Sequence, residues 1–147
     1  MKLEPKKYPY STSLTWTGEH KGTLSSEGKP DLPVACPPEW GGHPNIWSPE
    51  DLFIGSIEVC AMTTLLFLAD RERITLRSYS SEAEGKAGMI DGVFGFEPIQ
   101  VKLKIGVSND GDVARVGKLV PEIEKWCLVS KSLKPHVVIT PEIFVED

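Results

Sequence analysis

The stretch Ser48-Pro49-Glu50-Asp51-Leu52, running on through Cys60 to Phe67, constrains the fold more than any other part of the sequence. It opens with the chemistry of a helix start. Ser48 is a side-chain cap, Pro49 suits the first helical position, and Asp51, three residues after Ser48, is a short-chain counterpart of the capping-box glutamate. Beyond the cap, residues 52–69 are apolar or small apart from Glu58. A helix that is apolar around most of its circumference has to be buried on several sides. The run falls short of the roughly 20 residues that a bilayer span needs, and Glu58, two threonines and a glycine interrupt it, so it reads as a core helix.

A chain of 147 residues is expected to form one domain, residues 1–147, with a substantial core. Its net charge of −5 and pI of about 5.3 argue against a phosphate-backbone binder, so no nucleic-acid partner is expected. The first 30 residues hold no apolar stretch of signal-peptide length, which points to a cytoplasmic protein without a membrane partner. Cys36, Cys60 and Cys127 are odd in number and widely spaced. That excludes a disulfide scaffold and a Cys-x-x-Cys zinc site.

Alternation at Leu14 and Trp16 predicts a strand, with a glycine-bracketed turn at residues 18–22 and a return through Thr23 and Leu24. A short segment at residues 32–35 follows, then a loop at 36–47 rich in proline, glycine and tryptophan that is expected to pack onto the body. After the central helix, residues 74–80 alternate and read as a strand. Residues 98–107 carry Ile99, Val101, Leu103, Ile105 and Val107 on one face and Gln100, Lys102 and Lys104 on the other, the pattern of a sheet with one wet side. Val113, Val116, Val120, Ile123 and Cys127 recur at helical spacing, with Pro121 inside the pattern, where a kink or a break is expected. A last strand begins at Val137. The order β-β-β-loop-α-β-β-α-β is an α+β layout with antiparallel character.

A cysteine in an apolar helix is ordinarily a small hydrophobe. Cys60 and Cys127 lie on two separate helices, and if they meet, one thiolate can be oxidised by a peroxide and the other can condense with the sulfenic acid. The neighbours of Cys60 on its helical face are Phe53, Ser56, Ile57, Thr63, Thr64 and Phe67, a mostly apolar pocket suited to an alkyl hydroperoxide. Glu58 points away from Cys60, and Glu50 is too far along a straight helix, about 15 Å, for direct contact.

Taken together, Ser48-Pro49-Glu50-Asp51-Leu52, Gly55-Ser56-Ile57-Glu58-Val59-Cys60 and Trp126-Cys127-Leu128-Val129-Ser130 resemble the OsmC/Ohr family, thiol-dependent peroxidases of osmotic and organic-hydroperoxide stress. Trp16-Thr17-Gly18 and Gly22-Thr23-Leu24 are similar to the family's first hairpin. The resemblance implies an OsmC-like fold, an intertwined homodimer whose two central helices are wrapped by antiparallel sheets. It implies Cys60 as peroxidatic thiolate, Cys127 as resolving thiol and Glu50 as the carboxylate that organises a cation. It also implies an external thiol or dithiol reductant, with no metal and no organic cofactor. The family's hairpin arginine is missing here, since no arginine precedes Arg71. Lys21 and His20 are the candidate replacements, although neither has the planar fork of a guanidinium; Arg71 and Arg73 are more distant candidates at the helix end.

Three functions compete at this stage. The first is a dimeric hydroperoxide reductase using Cys60 and Cys127. The second is an OsmC-like dimer with weak or no peroxidase activity, serving as an apolar-ligand-binding or redox-sensing module. The third is a hot-dog-like acyl-thioester binder, in which neither cysteine has a role.

Overall fold

A computed structural model describes residues 3–147. The chain divides into two compact units, Met1–Leu52 and Phe53–Asp147. In the first, β1 (Ser13–Gly18), β2 (Lys21–Ser25) and β3 (Leu32–Ala35) form an antiparallel sheet in the order β1-β2-β3. The β1–β2 turn needs left-handed backbone at Gly18 (φ 114°) and Glu19 (φ 52°). Glycine adopts that region freely, and Glu19 does so at some cost. The sheet has no covered face of its own at β1, where Leu14 and Trp16 are exposed. The following loop contains one 3-10 turn, Pro38–Trp40, and is tied back by Cys36 N–H donating to His20 O and His43 N–H donating to Cys36 O. Trp40 and Trp47 remain about half exposed, so the loop is less covered than its aromatic content implies.

Helix α1 (Pro49–Arg71) starts as its sequence dictates. Asp51 N–H donates to Ser48 Oγ at 3.1 Å, while Ser48 N–H and Ser48 Oγ donate to Asp51 Oδ2 at 2.9 and 2.8 Å. The box closes with aspartate in place of glutamate, and Ser48 is buried. At the other end Arg73 takes φ 56°, Arg73 N–H donates to Asp70 O and Ile74 N–H donates to Ala69 O. These two bonds are a Schellman closure with arginine at the position that favours glycine. Ile74 is thereby folded into the core. This explains why the strand expected from residue 74 begins only at Ser78: the alternation at Ile74 and Leu76 serves the helix exit.

The second unit holds a sheet in the order β4 (Ser78–Glu84), β7 (Ile99–Val107), β8 (Val137–Val145) and a separate hairpin, β5 (Ala87–Ile90) with β6 (Val93–Phe96). β4 runs antiparallel to β7, but β7 and β8 are parallel. The antiparallel expectation is therefore corrected for this sheet. The reason is the connection: helices α2 (Asp110–Trp126) and α3 (Leu128–Lys131) lie between β7 and β8 and make the crossover that parallel neighbours require. Helix α2 passes through Pro121 and stops at Cys127, where ψ of 104° turns the chain into extended backbone. The expected break is thus displaced by one and a half turns.

The core joins Ile57, Ala61, Leu65 and Ala69 of α1, the inner residues Ile99, Val101, Leu103 and Ile105 of β7, and Val116 and Ile123 of α2. Full burial of each large aliphatic side chain contributes about 1.5–3 kcal/mol. Glu58 Oε1 accepts from Ser81 Oγ at 2.7 Å, pinning α1 to β4. Only one side of α1 is covered by its own chain, however. Val59 (59%), Leu66 (39%) and Phe67 (60%) stand in the open. By length and composition alone α1 is also long and apolar enough to cross a membrane, but its inner face packs against β7 and α2.

The two ends of α1 give opposite expectations for stability. Ser48→Ala removes the cap and strips Asp51 of its partners, and should lower unfolding free energy by about 1–2 kcal/mol. Arg73→Gly relieves the left-handed position and should raise it by about 0.5–1 kcal/mol. Urea denaturation of both variants reads the difference.

Candidate functional site

Cys60 lies in the middle of α1, half-buried, and Cys127 forms the junction between α2 and α3, with no exposure. Both sulfurs are free thiols. They are neighbours: a side-chain hydrogen bond with Cys60 acts on the protonation of Cys127. Burial pushes the Cys127 thiol up, and side-chain hydrogen bonding with Cys60 adds to this. Bonds from the Ser130 hydroxyl and backbone act the other way, and charge on Cys60 raises Cys127 again. Ser130 Oγ donates to Cys127 Sγ at 3.2 Å. Thr64 Oγ1 lies 4.0 Å from Cys60 Sγ. The chain break at Cys127 makes this placement possible: its N–H is held by Ile123 O and its carbonyl by Lys131 N–H, so the residue is fixed at both helix ends.

Beside Thr64 opens a cleft of about 420 Å³ lined by Thr63, Thr64, Phe67, Arg71 and Trp126. Three of the residues expected around Cys60 are in it. Three are not. Ile57 is wholly buried in the core. Phe53 is stacked on Phe96, with ring centroids 4.8 Å apart. Ser56 is exposed and donates to Phe53 O. Position on the helical face does not distinguish the core-facing flank from the open one.

Glu50 stands in the first turn of α1, ten residues before Cys60. Its neighbour Asp51 is taken up by the cap, whereas Glu50 Oε2 is shielded from solvent and has no hydrogen-bond partner among the described residues. Lys21 and His20 belong to the β1–β2 turn and border a separate cleft of about 420 Å³ in the first unit, together with Leu14, Trp16 and Cys36. Lys21 Nζ is already paired with Glu19 Oε2 at 2.8 Å. Its hydrogen bond and charge hold the Glu19 carboxyl below the usual range, with smaller help from His43 and His20. Cys36 Sγ donates to Trp40 O at 3.5 Å.

In the sequence reading Ser130 and Trp126 entered only as part of the family motif, and Arg71 only as a distant candidate cation. Ser130 was legible as the residue three after Cys127, a spacing that turns its hydroxyl onto the preceding sulfur in a single helical turn. Trp126 and Arg71 carried no such signal, since their meeting depends on the packing of α2 against α1.

The pattern of the OsmC-like protein family matches residues 42–142. The uncharacterized protein YmaD of Bacillus subtilis is 28% identical over 137 residues, which cover 89% of this chain and 90% of that one. Among solved structures, an OsmC-like protein of unknown function from Vibrio cholerae has a TM-score of 0.83 at 17% identity, covering 94% of this chain and 100% of its own. An organic hydroperoxide resistance protein from Elizabethkingia anophelis, solved with thiocyanate bound, has a TM-score of 0.70 at 19% identity, covering 96% and 100%. The mixed α+β architecture is common to all of these folds, and this chain belongs to the OsmC-like protein family.

Proposed function

We propose that the protein is a cytoplasmic, homodimeric, thiol-dependent peroxidase for organic hydroperoxides. The observation that carries this reading is the meeting of Cys60 and Cys127, from two different helices, beside a partly apolar cleft. The Cys60 thiolate attacks one peroxide oxygen and the O–O bond breaks. Cys60 becomes a sulfenic acid, and the alkoxide leaves and takes a proton to become an alcohol. The Cys127 thiolate then attacks the Cys60 sulfur, an S–S bond forms, and the hydroxyl departs as water with one proton. An external dithiol reduces the disulfide by exchange and is itself oxidised. No metal or organic cofactor enters the cycle, and a reducing compartment is needed to close it. Glu50, with its unpartnered oxygen, is the carboxylate that receives a cation near the site.

The uncovered side of α1 supports the dimer. Gly55, Val59, Met62 and Leu66 recur at intervals of four, three and four residues, the spacing of a helix seam, and Val59 and Leu66 are exposed. A second copy of the same helix supplies the cover.

One observation favours the second reading. Lys21 is engaged by Glu19, which leaves Cys60 without an evident cation in the hairpin and fits an OsmC-like dimer with weak peroxidase activity, acting as an apolar-ligand-binding or redox-sensing module.

Thiol titration after near-stoichiometric cumene hydroperoxide separates them. The peroxidase loses two thiols per chain within seconds, and Cys60→Ser or Cys127→Ser abolishes that loss; unchanged thiols in the wild type would sink the proposal. Disulfide closure should quicken as pH rises through and above the ordinary thiol range, because the raised Cys127 pKa delays thiolate formation. Ser130→Ala, by removing the hydroxyl bond that favours the thiolate, should slow closure at neutral pH by several-fold. For the assembly, sedimentation of Val59→Asp and Leu66→Asp should show loss of the dimer, since a carboxylate buried in an apolar seam is strongly disfavoured. A dimer that survives both changes would place the interface elsewhere.

A further inference from the structure

Arg71 has no function in the cycle just described, yet it forms one wall of the cleft that opens beside Cys60. It makes no ion pair among the described residues. Its guanidinium carbon instead lies 5.9 Å from the centroid of the Phe67 ring, one helical turn back towards Cys60. Eleven residues separate Cys60 from Arg71, which brings the two side chains to within about 20° of the same helical direction. The fold-back onto Phe67 sets the cation at the level of a residue only about 10 Å along the axis from Cys60. Trp126, next in sequence to Cys127, closes the far side, and its indole N–H is turned to Glu122 Oε2 at 3.3 Å, leaving its ring as an apolar surface. Thr63 and Thr64 add hydroxyls to the floor.

The cleft thus sets two aromatic faces beside a guanidinium free of ion pairs, and Thr64, whose hydroxyl lies 4.0 Å from Cys60 Sγ, joins it to the thiol. Its direction is also distinct from the seam. Gly55, Val59, Met62 and Leu66 centre about 130° around α1 from Cys60 and about 150° from Arg71. Thiolate stabilisation is not what the cation can supply, since about 10 Å of screened surface separates the charges. Binding an anion is. A guanidinium offers a planar fork matched to a carboxylate, and aromatic walls bind a short apolar or aryl spacer.

We propose that Arg71 is a specificity-determining residue that binds the carboxylate of an amphipathic substrate, so that the preferred hydroperoxides are short alkyl or aryl ones with an anionic group at the end opposite the peroxide. This deepens the peroxidase reading and rests on it for the chemistry at Cys60. The reaction is unchanged: the peroxide is reduced to the alcohol, two thiols become a disulfide, and water is released, with the carboxylate untouched throughout.

The test compares para-carboxycumene hydroperoxide with its methyl ester in the wild type, Arg71→Ala and Arg71→Lys. The wild type should favour the acid, and Arg71→Ala should raise KM for the acid about 10-fold, at the low end for a charge-assisted bond because the site is open to solvent. The ester's kinetics should stay as they were, kcat for both should be little altered, and Arg71→Lys should fall between. Equal handling of acid and ester by the wild type, or equal damage to both in Arg71→Ala, would overturn the assignment. Calorimetric binding of the unreactive product, the para-carboxylated tertiary alcohol, gives a second readout. If neither hydroperoxide is consumed but the alcohol binds the wild type about 10-fold tighter than Arg71→Ala, the anion site stands and the peroxidase reading falls. If both hydroperoxides are consumed and the alcohol binds all three proteins alike, the peroxidase reading stands and the anion site falls.

Discussion

The packing of α1 against the inner face of β7 is the interaction on which the rest of this chain depends. Ile57, Ala61, Leu65 and Ala69 meet Ile99, Val101, Leu103 and Ile105, and that contact fixes which way every other residue of the helix faces. It puts Cys60 at the margin between core and open surface, where a sulfur can be half-buried and still meet a ligand. It also gives α2 a floor to pack on, and through Val116 and Ile123 brings the end of α2 to the same margin. The proximity of the two thiols is a by-product of how the two helices share one sheet.

Much of this was legible in the residues. The cap at Ser48 and Asp51 was readable because capping is local: donor, acceptor and spacing lie within four residues. The strand at residues 98–107 was equally clear, since alternation over a long run fixes both the strand and its inner face. The parallel pairing of β8 was not, because it is decided by where the α2 crossover returns the chain, and no local pattern encodes that. Residues 74–77 misled for a related reason. Ile74 is apolar to close a helix, and apolarity alone does not reveal which element it serves.

The candidate site divides along the same line. Cys60 and Cys127 could be singled out from their settings, and the family resemblance linked them. Of the residues on the helical face of Cys60, Thr63, Thr64 and Phe67 line the cleft, Ile57 is buried in the core and Phe53 stacks on Phe96, a division that angular position alone does not encode because it ignores which flank the sheet occupies. Arg71 and Trp126 join the cleft from positions 55 residues apart in sequence. Such long-range meetings are properties of packing. The all-round apolarity of α1 is only partly used within this chain, where Val59, Leu66 and Phe67 stay exposed.

The capping box at Ser48 has a mechanical consequence beyond stability. It anchors α1 at one phase, and Cys60 follows twelve residues later on an uninterrupted helix. Each residue inserted or deleted between them rotates the thiol by about 100°, enough to carry it from the margin into the sheet-facing core or out towards the open seam. The cap therefore serves as an index mark for the sulfur. The number of residues between the two therefore sets where the sulfur faces, whatever side chains fill the intervening turns.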